Sequence, residues 1–93
     1  MMNDPQGQQI DSLAQQDPSS RVQEAMMRMA SDMRAQGHPH EAIDMYTKLM
    51  DDYPETQAAR AATNALIDLA KEMEQQGMSR LALEIYQIVE SYQ

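Results

Sequence analysis

The feature that most limits what this chain can become is an internal repeat with a spacing of forty residues. Gly37 recurs as Gly77, and at the same offset Ala30 matches Ala70, Met33 matches Met73 and Gln36 matches Gln76. Beyond the glycine, Ala42 matches Ala82, Tyr46 matches Tyr86, and Leu49 is answered by Val89. A unit this short cannot bury its own apolar face, so copies of it must stack on one another to make a continuous core. The fold is therefore an array of one motif used twice.

The motif reads as a helical hairpin. Val22, Met26, Met29, Ala30 and Met33 keep helical spacing and predict an inward stripe on a first helix. The start signals are Asp17-Pro18-Ser19-Ser20, where Asp or Ser can cap, proline suits the first turn, and Ser20 with Gln23 has capping-box spacing. Gly37 has the place of a left-handed residue just past the helix end. Pro39 opens a second helix with Ala42, Ile43, Tyr46, Leu49, Met50 and Tyr53 on its apolar face, and Pro54 stops that helix and starts a third. The third is expected over 55–76, burying Ala62, Leu66, Leu69, Ala70 and Met73. Gly77 ends it, Ser79 caps the fourth, and the fourth carries Ala82, Leu83, Ile85, Tyr86, Ile88, Val89 and Tyr92. The chain has no Trp and no Phe, and it is rich in Ala, Met, Gln, Glu and Leu, all strong helix formers, so composition also favours an all-α fold. Residues 1–17 are polar and read as a flexible tail, although Ile10, Leu13 and Ala14 have the spacing of a single helical turn. Residues 18–93 are the domain.

These positions resemble the tetratricopeptide-repeat family. Its pattern of small residue, turn glycine, alanine, aromatic, small or apolar residue and proline is met by Ala30, Gly37, Ala42, Tyr46, Leu49 and Pro54. The second copy supplies Ala70, Gly77, Ala82, Tyr86 and Val89. The resemblance implies two tandem antiparallel helical hairpins, in which the alanines let helices cross closely and the tyrosine plugs the gap between neighbours. The spacing here exceeds the family period of about 34 residues, and the extra residues are placed in 55–62. The resemblance also implies a role in binding protein, through a concave groove lined by the first helix of each hairpin. The lysine and asparagine of the family's carboxylate clamp do not occur at the matching positions, which are Met27 and Ser31, so that specificity is not implied.

Composition narrows the chemistry. With 15 Asp and Glu against 7 Lys and Arg, the net charge of −8 repels phosphate backbones and anionic bilayers, so neither nucleic acid nor a membrane is an expected partner. No cysteine is present, which removes disulfides and thiolate metal sites. The start lacks a basic and apolar leader, and no apolar run is long enough to span a bilayer, so a soluble cytoplasmic protein is expected. His38 and His40 flank Pro39, but with no carboxylate well placed beyond Glu41 and no cysteine they read as a solvated turn rather than a metal site. Glu72 and Glu74 lie on different helix faces and do not form an acid/base pair. Asp51 and Asp52 read as a solvated helix end. The glycines are isolated, so there is no phosphate loop. The expectation is no enzyme, no catalytic residue, no cofactor and no metal.

Two surfaces remain as binding sites. Met27 and Ile67 are matched apolar positions one step round their helices from the inward stripe. With Ser31, Arg34 and Lys71 they either line a peptide groove or pack between the first and third helices. The second surface comes from comparing the second and fourth helices. Glu41, Met45, Lys48 and Asp52 become Leu81, Ile85, Ile88 and Tyr92, an apolar stripe at i, i+4, i+7, i+11. Read as the outer face of a last helix, this stripe predicts a helix–helix interface between identical chains, or a cover supplied by the tail around Ile10 and Leu13. The function expected is a small adaptor or scaffold that self-associates. The alternative is a dedicated chaperone or accessory subunit that masks one partner protein.

Overall fold

The computed structural model describes residues 18–93, and the tail reading for 1–17 lies outside it. Four helices follow one another: α1 (Pro18–Ala35), α2 (Pro39–Asp52), α3 (Gln57–Gln75) and α4 (Ser79–Ser91). There is no strand among the described residues. α1 packs on α2 and α3 on α4 as two hairpins, and α2 packs on α3 to join them, with a lighter contact between α1 and α3. Two tandem tetratricopeptide-like hairpins are thus the architecture, as the repeat requires.

The turns inside the hairpins show why the glycines are there. Gly37 and Gly77 have φ of +84° and +79°, the left-handed region in which a Cβ is penalised. In the first turn the His38 amide donates to the Met33 carbonyl at 2.8 Å and Gly37 to Arg34 at 3.1 Å. In the second turn Met78 donates to Met73 at 2.8 Å and Gly77 to Glu74 at 3.0 Å. This doubled bond, six-to-one around five-to-two, satisfies carbonyls that would otherwise be orphaned at the helix end.

The turn between hairpins is built differently. Pro54 follows the end of α2 but does not begin α3. Glu55 takes a left-handed φ of 63°, and Thr56 then caps α3 by accepting from the Ala59 amide at 3.0 Å. The expected start at residue 55 is therefore two residues early, because the hydroxyl of Thr56 is the local group able to hold the first free amides. Ser79 is likewise the first residue of α4 rather than its cap. Met78 holds the cap position with no side-chain hydrogen bond.

The core runs the length of the stack. Ala30, Ala42, Ala62, Ala70 and Ala82 are all buried where helices approach, and Leu49, Leu66, Leu69 and Ile85 are its largest fully enclosed side chains. No buried polar side-chain atom lacks a partner among the described residues. Two residues assigned to the core from sequence are not in it. Met29 is 47 % exposed and Val22 is also open, although their counterparts Leu69 and Ala62 are buried. The reason is position in the array. α3 has a helix from the preceding hairpin, α2, laid against it, and no such helix precedes α1 among the described residues.

Candidate protein-binding surfaces

The same logic settles the stripe on α4. Leu81 is 7 % exposed, Ile85 is fully enclosed, and Ile88 is half-buried against the core. Only Tyr92, at the helix end, is open, and its hydroxyl donates to the Asp51 carboxylate at the end of α2. Tyr92 also walls a cleft with Met50 of α2 and Ala59 and Thr63 of α3. These contacts turn the Leu81–Ile85–Ile88–Tyr92 side of α4 toward the first hairpin. The expectation that this stripe is an outer face between identical chains is corrected: Leu81 and Ile85 belong to the chain's own core. Position by position, α4 does correspond to α2. What changes between them is the neighbour, because among the described residues no hairpin precedes that of α2, and its Glu41, Lys48 and Asp52 are exposed.

The expected groove divides. A cleft of about 780 Å³ opens between the first turns of α1 and α3. Met27 lies in its wall beside Ala58 and Ala61 of α3, and Gln23, Glu24, Arg28 and Gln57 give it polar edges. Ser31, Ile67 and Lys71 do not line it. Met27 and Ile67 are each half-buried and rest on the core, while Ser31 and Lys71 are exposed. Arg34 borders a separate cleft near the hairpin turns, with His40, Leu69, Glu72 and Met78. Its Nε donates to Glu72 Oε1 at 3.1 Å and ties α1 to α3.

The electrostatics follow the repeat. Tyr46, deep between helices, has its hydroxyl pushed above its ordinary pKa by burial, against the opposing pull of the Arg34 guanidinium that donates to it. In the second hairpin Glu74 stands where Arg34 does in the first, and it accepts from Tyr86. That bond raises the Tyr86 pKa, aided by desolvation and by the carboxylate's charge. The helix-end acids are better partnered than a solvated terminus would be: Asp52 meets Lys48 at 3.3 Å, and Asp51 takes the Tyr92 hydroxyl. His38 and His40 are both exposed, and no group of three potential metal ligands exists among the described residues.

A family model described as "Tetratricopeptide repeat" matches residues 24–56, which spans most of α1, all of α2 and the turn after it. This match supports a tetratricopeptide-like family for the chain. The second, tetratricopeptide-like hairpin is tied to the first by the forty-residue offset and by its matching glycine turn. No curated protein and no solved structure matches the chain. Tetratricopeptide repeats generally mediate contacts between proteins, and the family is typically non-catalytic. No helix among the described residues is long and apolar enough to cross a membrane.

Proposed function

We propose that this chain is a non-catalytic protein-binding module, a small adaptor or scaffold of the cytoplasm. It takes a segment of a partner protein into the cleft between α1 and α3. The observation that carries this reading is the cleft itself, which opens between the hairpin matched by the repeat family and the hairpin that follows it. An apolar wall of Met27, Ala58 and Ala61 offers a place for one anchoring side chain, and the polar edges of Gln23, Glu24 and Gln57 offer hydrogen bonds to an extended backbone. A methionine suits such a wall because its thioether adapts to differently shaped partners. Self-association is left out of the proposal, since the α4 stripe expected to drive it is occupied within the chain.

The test is capture from a lysate of the native cell on immobilised protein, with two variants beside the wild type. Met27→Asp places a charge in the wall, and Glu24→Arg reverses a rim charge at an exposed site. A partner lost with both variants, while each keeps its helical signal and melting cooperativity, supports the reading. A partner retained by both places the binding site elsewhere. Cell fractionation checks the cytoplasmic setting.

A further inference from the structure

Side chains that α2 buries have counterparts on α4 that are left open, at the other end of the two-hairpin stack. Ile43 and Tyr46 of α2 are 6 % and 3 % exposed. Their counterparts on α4 are Leu83, 56 % exposed, and Tyr86, half-buried. Each of the two helices packs on the first helix of its own hairpin. Among the described residues α2 alone has a further helix, α3, laid against its other side. The difference in burial is therefore the footprint of α3. Met50 belongs to that footprint, with its sulfur 3.9 Å from the Thr63 hydroxyl of α3.

That internal contact states what an occupant of the open end must look like. On the α3 side it uses Ala59, Ala62 and Leu69, which are buried although Ser19, Val22 and Met29 at the matching positions of α1 are not. It also has a polar edge, where Arg34 lies between the Tyr46 hydroxyl and the Glu72 carboxylate. At the open end the sign is reversed, since Glu74 occupies the repeat position of Arg34, forty residues on, and is exposed. Where Arg34 meets an acid, Glu74 is matched by a cation.

We propose that the open end formed by Leu83 and Tyr86 of α4, with Glu74 of α3 at its edge, docks an amphipathic helix of a partner protein. That helix has small aliphatic residues on one face and a lysine or arginine opposite Glu74. A second copy of this chain does not fit the description. Stacked in the same way, it would bring Asp32, the counterpart of Glu72, against Glu74, and two carboxylates would face each other in an assembly of strongly acidic chains. This site shares no residue with the cleft at Met27, so the two readings stand or fall separately.

The experiment uses α3 as its own template. A labelled peptide of residues Gln57–Gln75 carrying Glu72→Lys is titrated with the whole chain and followed by fluorescence anisotropy, beside the unsubstituted peptide. The substituted peptide binds saturably, and the unsubstituted one binds roughly five-fold more weakly, the scale of one exposed charge pair. Leu83→Glu in the protein abolishes binding without altering its melting, because Leu83 is mostly in water. Glu74→Lys reverses the order of the two peptides, and Met27→Asp changes neither affinity. The proposal is overturned by no binding of the substituted peptide at millimolar concentration, by binding that survives Leu83→Glu, or by an unchanged order with Glu74→Lys. It is also overturned if the wild-type protein associates with itself in light scattering and Leu83→Glu and Met29→Glu each abolish that association, since a second copy would then be the occupant.

Discussion

Tyr92 is the residue whose chemistry reports most directly on how the two hairpins meet. Its hydroxyl is pushed up to about 12 by local burial, with the hydrogen bond to Asp51 and that carboxylate's charge adding to the effect. A tyrosine pKa raised by folding contributes stability that is fully present below the ordinary value of about 10 and lost as pH rises through the folded value. The stack should therefore loosen between about pH 10 and 12, and Tyr92→Phe should flatten that part of the stability profile. In an absorbance titration the same variant should lack the phenol that titrates at about 12. If the phenol lost in the variant titrated near about 10 instead, the contact with Asp51 would not persist in solution. Ile85 carries a second prediction. Its side chain is enclosed within one chain, so Ile85→Ala should cost about 2–5 kcal/mol at any protein concentration. An intermolecular contact would instead give a loss that grows on dilution. Arg34→Ala should cost about 1 kcal/mol, because both members of the pair with Glu72 remain partly in water.

The elements are fixed by local chemistry, and most of that chemistry is legible in the chain. Gly37 and Gly77 stand out because an apolar stripe of helical period that stops at a glycine marks a helix end, and both glycines do close their helices with φ near +80°. A Cβ at either position meets nothing within 4 Å, so the cost of Gly37→Ala is that of the backbone alone. That cost is about 1 kcal/mol, and asparagine should recover part of it. If alanine were neutral by chemical denaturation, the turn would have another conformation open to it. The start of α3 is harder to read. Pro54 has the look of a boundary, yet Thr56 holds the Ala59 amide in the first turn of the helix and Glu55 accepts a left-handed φ just before it. A cap is recognised in sequence by its neighbours, and Thr56 has no glutamate or glutamine three residues on to complete a capping box. Thr56→Ala should accordingly cost about 1 kcal/mol, whereas Ser79→Ala should be nearly neutral, since no side-chain hydrogen bond caps α4.

At the scale of the whole molecule, periodicity gives the faces of a helix but does not say which neighbour each face meets. The spacing of Leu81 and Ile85 marks a separate apolar stripe, and Leu83 is apolar as well. That the stripe faces the first hairpin while Leu83 faces outward depends on the direction in which the hairpins stack, which spacing along one helix does not encode. The same ambiguity puts Val22 and Met29 in a core they do not reach. The outcome is a molecule with two unlike ends and a doubly covered middle: α3 touches all three other helices, while α1 and α4 are covered mainly by their own hairpin partners. In a linear array each unit is held by its neighbours, so stability should fall from the middle toward the ends. Native-state hydrogen exchange should find its slowest amides near Leu49, Leu66 and Leu69, with faster exchange through α1 and α4. Two truncations separate this gradient from a uniformly cooperative domain. Leu66→Ala, in the middle of α3, should cost about 2–5 kcal/mol and lower protection in all four helices. Val89→Ala, near the end of α4, should release α4 and leave the protection of α1 and α2 nearly unchanged, because α4 can open without exposing the contact between them. Equal loss of protection across the chain in both variants would mean that the hairpins unfold as one unit and that the open ends are no less stable than the middle.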